Sequence, residues 1–300
     1  MSDLFQSKGG PDSVNVEQAI GYQFAPQTQT YTSRDAIIYA LGVGAGSDPL
    51  DRDDLRFVYE LHPDGFRVLP TYPVTFPFSI LYQIGSVPGM NFNPMMLVHG
   101  EQFTELRAPL PERATVTTSG AIVSVYDKGS GALLVIEATS ADDAGRELAF
   151  SRMGAFIRGL GGFGGERGPS QKPTDPPDRQ PDAVHQQATR PDQALLYRLS
   201  GDPNPLHADP MMAALGGFDR PILHGLCSLG FAGRAVLKHF CANDPARFRS
   251  VSVRFSKPVF PGETLVTEMW RQGESRVLFR TSVTERGEVV LAGGVVELNG

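Results

Sequence analysis

Apolar and polar positions along the chain follow two different periods. Runs at 116–126, 132–139 and 147–158, and again at 264–271, 276–284 and 288–298, are rich in β-branched and apolar residues and predict strands. The breaks between them are turn-forming clusters: Asp127-Lys128-Gly129-Ser130-Gly131, Asp142-Asp143-Ala144-Gly145, Gln272-Gly273 and Arg286-Gly287. Alternation at Val251, Val253 and Phe255 predicts antiparallel sheet with one buried face. Two short stretches instead carry a helical stripe. Ile37, Ile38 and Leu41 follow a capping pair, Thr32 and Ser33, and stop at Gly42. Leu195, Leu196 and Leu199 follow Thr189-Arg190-Pro191-Asp192 and stop at Gly201.

These two helices are copies in register. A constant offset of 158 relates Ile37 to Leu195, Ile38 to Leu196, Tyr39 to Tyr197 and Leu41 to Leu199. Each is followed by a β-rich tail, which predicts a duplicated α+β unit. Between the copies, 164–183 holds five prolines, three glycines and almost nothing apolar, so it cannot bury enough surface to fold alone. The expected division is 1–160, a linker over 161–183, and 184–300. One segment departs from the β pattern. Residues 224–238 are apolar nearly all round and rich in small side chains, which predicts a helix buried against the sheet. Its glycines cost about 1 kcal/mol each against Ala and are expected to permit close approach by the sheet or a ligand.

Composition narrows the class. With 33 Gly and 24 Pro among 300 residues and 41% hydrophobic content, the chain suits a turn-rich globular α+β protein better than a helical bundle. A net charge of −6 and no run of Lys or Arg argue against nucleic acid or an anionic membrane as partner. Two cysteines, Cys227 and Cys241, are too few for a disulfide framework and point to a reducing, cytoplasmic setting. Residues 1–10 lack the apolar core of a leader, Glu297-Leu298-Asn299-Gly300 carries no peroxisomal address, and no apolar run reaches membrane-spanning length.

The chemistry concentrates at 197–207. Asp202 and His207 are five residues apart, a spacing that would not place them together on a helix. In a loop pinned by Pro203 and Pro205 they converge, because each proline fixes its own φ and restricts its predecessor. A rigid mount for a carboxylate and an imidazole suits an acid/base pair, with Asn204 able to hold either in register. The plainer reading is a tight loop in which Asp202 caps a turn and His207 packs on the sheet.

Gly201-Asp202-x-Asn204-Pro205-Leu206-His207 followed by Pro221-Ile222-Leu223-His224-Gly225 resembles the motif of MaoC-like (R)-specific 2-enoyl-CoA hydratases, the hydratase 2 family. The resemblance extends over nearly the whole chain to the double-hotdog hydratase unit of peroxisomal multifunctional enzymes of type 2. Leu97-Val98-His99-Gly100-Glu101, Asp127 to Gly131, Arg158 to Gly165 and Val253 to Pro258 are further landmarks. Pro203 departs from the pattern, where close relatives would carry Trp or another residue, and it tightens the loop.

The resemblance implies an α+β double hotdog, with antiparallel sheets wrapped around a central helix. It implies addition of water to a trans-2-enoyl-CoA, giving a (3R)-3-hydroxyacyl-CoA. Asp202 and His207 would grip one water, with Asn204 beside them, and the N–H of Gly225 would receive the thioester oxygen at a helix start. His99, Gly100, Lys128, Pro203, Pro205, Leu206 and Phe255 would contact the acyl-CoA. No metal and no cofactor are called for, CoA being part of the substrate, and no Cys, His or carboxylate set has ligand spacing in the sequence. The glycines at 161–165 do not lead from a strand into a helix, so no dinucleotide site is read there.

The first copy has Val43-Gly44-Ala45-Gly46-Ser47-Asp48-Pro49-Leu50 where the second has its acid/base loop, with no His and no equivalent pair. One active site per chain is expected, with 1–160 as a non-catalytic hotdog that accommodates the acyl chain and 184–300 as the catalytic one. A homodimer is expected by resemblance, because hotdog sheets pair edge to edge. The competing functions are a dehydratase or hydratase acting on an acyl-carrier-protein, branched or dicarboxylic thioester, a thioesterase, and a non-catalytic acyl-CoA-binding module.

Overall fold

A computed structural model describes residue 10 and residues 13–169 and 174–300. Residues 1–9 and 11–12, on which the reading of the N-terminus falls, and 170–173 inside the linker lie outside the described residues. Ten strands form one antiparallel sheet: β1 (Gln27–Tyr31), β2 (Leu97–Leu106), β3 (Ala114–Asp127), β4 (Gly131–Asp142), β5 (Glu147–Arg158), β6 (Ala183–Ala188), β7 (Phe248–Phe255), β8 (Thr264–Gln272), β9 (Arg276–Val283) and β10 (Glu288–Leu298). The helices are α1 (Val16–Ala19), α2 (Ser33–Gly42), α3 (Arg52–Leu55), α4 (Phe78–Leu81), α5 (Gln193–Tyr197), α6 (Pro210–Leu215) and α7 (Gly225–Phe240).

The strand order shows the duplication directly. It reads β1-β3-β4-β5-β2-β7-β10-β9-β8-β6, so each half repeats one topology and the halves meet where β2 pairs with β7. That junction runs from Glu101 opposite Arg254 to Glu105 opposite Ser250, with a Glu101–Arg254 ion pair of 2.9 Å across it. Edge-to-edge pairing of hotdog sheets is therefore satisfied inside one chain.

The free edges, β1 and β6, are the strands the sequence pattern did not announce. Both are short and mostly polar, with burial alternating from residue to residue. Edge strands tolerate such residues because one side of the backbone faces water. The linker reading also needs trimming: Ala183 begins β6, and Trp270 Nε1 donates to the Arg179 carbonyl at 2.9 Å, so the segment is already docked before it ends.

Helix α7 lies across β7, β8, β9 and β10, and every residue from Leu226 to Leu237 is buried. Two of its glycines were expected to admit the sheet or a ligand. They admit the first half of the chain instead. A Cβ on Gly230 would lie 2.3 Å from Val43 Cγ1, and one on Gly233 would lie 2.5 Å from Thr71 Cγ2. Arg234 on the same helix bonds Asp54 at 2.6 Å and the Val43 carbonyl at 3.0 Å, satisfying a buried charge across the two halves. Among the described residues the first half has no matching long helix. Its segment is broken into a 3-10 turn (Tyr72–Thr75), α4 and another 3-10 turn (Ile84–Ser86), with Pro73 and Pro77 interrupting any continuous hydrogen-bond ladder.

Candidate active site

The acid/base loop is built by local rules. Gly201 sits at φ +116, where it stops the preceding turn, and a 3-10 turn over Pro205–His207 follows at once. Asn204 caps that turn: its Oδ1 accepts from Leu206 N at 3.0 Å, while its own N–H donates to Asp202 Oδ1 at 3.2 Å. Asn204 is thereby bonded to Asp202 through its N–H and caps the turn that carries His207.

His207 is buried, and its Nδ1 lies 2.8 Å from the Ile222 carbonyl. A carbonyl only accepts, so Nδ1 carries the proton and Nε2 presents a lone pair. Burial lowers the His207 pKa, opposed by the nearby Asp202 and by the bond to Ile222, and favours the neutral ring. Behind it, His224 stacks on His207 with centroids 3.7 Å apart and planes 26° apart. Its Nε2 donates to the Asp202 carbonyl at 3.2 Å. Burial, then the neighbouring His207, pushes His224 well below the ordinary imidazole range.

One ring nitrogen each from His207 and His224 and a carboxylate oxygen of Asp202 lie within 4.8 Å of one another, a grouping that sequence spacing does not announce. The trio does not fit a metal ion well. His207 Nδ1 and His224 Nε2 are already committed to carbonyls, which leaves His224 only Nδ1, a buried nitrogen without a hydrogen-bond partner. The arrangement suits a water, since two hydrogen bonds of about 2.8 Å to one water at a tetrahedral angle span about 4.6 Å.

This cluster opens onto a cavity of about 930 Å³. Asp202, Asn204, His207 and Gly225 line it, as do His99, Gly100, Lys128, Pro205, Leu206 and Phe255. Pro203, named from sequence as a substrate contact, is exposed and is not among the residues that line it. The first half supplies an apolar wall that includes Phe78, Leu81, Ile84, Phe92 and Phe156, while Lys128, Arg158, Arg254 and Lys257 add positive charge.

Gly225 is the first residue of the 16-residue α7, so its N–H has no partner within the helix and the positive end of the helix dipole faces the cavity. A Cβ there would come within 2.9 Å of the Phe255 ring. Phe255 in turn meets His99 edge-on at 5.1 Å. His99 is held neutral, its pKa pushed by burial down to about 4.

Lys128 lies over the Tyr126 ring and donates to the Arg167 carbonyl. Its neighbour Asp127 explains the glycine run: the carboxylate accepts N–H groups from Gly129, Gly162 and Gly164 at 2.8–2.9 Å. These glycines wrap a side chain.

Sequence reasoning missed two residues. His224 stood inside the quoted motif, but its stacking on His207 was invisible there. Tyr82 gave no signal: it is 120 positions from Asp202, and its hydroxyl donates to Asp202 Oδ1 at 3.0 Å.

Comparisons with known proteins cover both halves. The family model described as the MFE-2 hydratase 2 N-terminal domain matches residues 29–159, and the MaoC-like domain matches 172–293. A probable enoyl-CoA hydratase 2 of Dictyostelium discoideum is 45% identical over 94% of this chain and 96% of its own. A peroxisomal enoyl-CoA hydratase 2 of Arabidopsis thaliana is 45% identical over 94% of both. The crystal structure of a MaoC-like dehydratase from Phytophthora capsici superposes with a TM-score of 0.85 at 42% identity, covering 95% of this chain and 99% of that one.

Proposed function

This chain belongs to the MaoC-like enoyl-CoA hydratase 2 family, and we propose that Asp202, His207 and Gly225 carry the reaction of an (R)-specific enoyl-CoA hydratase on its double-hotdog fold. The observation that supports this most strongly is the convergence of the Asp202 carboxylate and the free Nε2 of His207 on a cavity that the Gly225 N–H also faces.

The reaction adds one water across a double bond. Asp202 and His207 grip the water, its oxygen bonds to Cβ of the trans-2-enoyl-CoA, and one of its protons passes to the pair. Electron density moves from the double bond into the thioester carbonyl, where the Gly225 N–H receives the developing charge. The pair then returns a proton to Cα, giving the (3R)-3-hydroxyacyl-CoA. The carboxylate and the imidazole share one water, so the base is the pair as a unit.

The first half, 1–160, accommodates the acyl chain along the wall built from Phe78, Leu81 and Ile84. Lys128, Arg158 and Lys257 meet the CoA phosphates, a reading supported by their positive charge along the same cavity. The catalytic hotdog is 184–300, with 161–183 as the connection.

Incubation with crotonyl-CoA and a medium-chain enoyl-CoA, following loss of the conjugated thioester absorbance, tests the reading. Hydration to the R product supports it. Release of free CoA would point to a thioesterase, and binding without turnover to a module.

A homodimer is part of the proposal, resting on the family rather than on β2 and β7, which already pair with each other; light scattering on the eluting protein checks it. Among the described residues no helix is long and apolar enough to cross a membrane. Two free buried thiols suit a reducing compartment such as the cytoplasm, and the relative named as peroxisomal supplies the competing outcome for a fractionation experiment.

A further inference from the structure

We infer that Tyr82, contributed by the half of the chain that lacks the acid/base pair, is a positioning residue for Asp202. The inference rests on the proposed role of Asp202. Tyr82 is the residue that ends α4, in the segment where prolines replace a continuous helix by short turns. It lines the cavity and is 57% exposed, so core packing does not account for its orientation.

The hydrogen bonds divide the Asp202 carboxylate into two unlike oxygens. Oδ1 accepts from the Tyr82 hydroxyl at 3.0 Å and from Asn204 N at 3.2 Å. Oδ2 has its nearest charged-group neighbour, His224 Nε2, at 3.9 Å, and that nitrogen is bonded to the Asp202 carbonyl. One oxygen is thereby fixed and the other left for the water. Two donors from different directions lock the carboxylate plane, whereas Asn204 alone leaves it free to swing.

Burial keeps His207 on the same loop, His224 at the start of α7 and His99 on β2 uncharged, so Tyr82 and Asn204 are the groups that hold Oδ1.

The test is Tyr82→Phe measured beside Asp202→Asn, with kcat and KM on crotonyl-CoA. The expected result for Tyr82→Phe is a kcat lower by about tenfold with a KM within about twofold, because the carboxylate has lost one of the two donors that orient it. An unchanged kcat, with Asp202→Asn inactive, would overturn the inference and leave the reading of the site standing. A raised KM with unchanged kcat would do the same, making Tyr82 a substrate contact. Activity near wild type in Asp202→Asn would instead overturn the reading of the site itself.

Discussion

The two halves of this molecule share a strand order but differ in what lies against the sheet. In the second, a single 16-residue helix, α7, is buried along its length and starts at Gly225 beside the acid/base loop. In the first, the same position holds short turns separated by Pro73 and Pro77, and the space they leave becomes the apolar side of the cavity. An unbroken helix supplies an aligned row of N–H groups at one point, which is what a developing negative charge needs. Broken helix supplies volume. One copy thus has an intact helix that starts beside the Asp202 loop, while in the other the broken segment lines the cavity and carries Tyr82, whose hydroxyl bonds Asp202.

Removing the pair should produce the largest effect on this contrast. Asp202→Asn and His207→Ala are each expected to lower kcat by at least about a thousandfold, with circular dichroism unchanged. Residual turnover near wild type in either would mean that the first half holds chemistry of its own.

Filling the other half should separate substrates without touching the reaction. Leu81→Trp places bulk on the apolar wall, so kcat/KM for a long-chain enoyl-CoA is expected to fall at least about tenfold, while crotonyl-CoA stays within about twofold. Equal losses on both substrates would show that the wall does not sort by chain length.

Gly225→Ala sharpens the account of the helix start. The added Cβ would lie 2.9 Å from Phe255 Cδ1, so the ring or the helix start must shift, and kcat is expected to drop about tenfold with little change in melting temperature.

The smallest effect is on stability against pH. Burial depresses His99, His207 and His224, so the unfolded chain binds more protons than the folded one below the ordinary imidazole value of 6.5. Stability is fully present above that value and is lost as pH falls toward about 4, the value to which His99 is pushed. Differential scanning calorimetry across this window should show a falling melting temperature, and a flat profile would mean the rings are solvated.

Much of the fold was legible because strands and buried helices leave periodic marks. The runs at 147–158 and 288–298 coincide with β5 and β10, and the all-apolar stretch at 224–238 lies within α7 and its cap. The edge strands β1 and β6 were not legible, since Gln and Thr facing water carry little hydrophobic contrast. The acid/base loop was legible for a different reason: two prolines and an Asx cap constrain it within a few residues, so its geometry is local.

By itself, then, the sequence determined the repeat, the buried helix and the rigid loop bearing Asp202, Asn204 and His207. Each is encoded by neighbours along the chain through torsional limits and hydrophobic period. Tertiary structure alone decided that His224 stacks on His207, that Asp127 gathers three glycine N–H groups, that Gly230 admits Val43, and that Tyr82 bonds Asp202. Those contacts join residues from separate parts of the chain, and neither partner's local pattern contains the other. They arise when two sheets pair along β2 and β7 and close one cavity between an intact helix and a broken one.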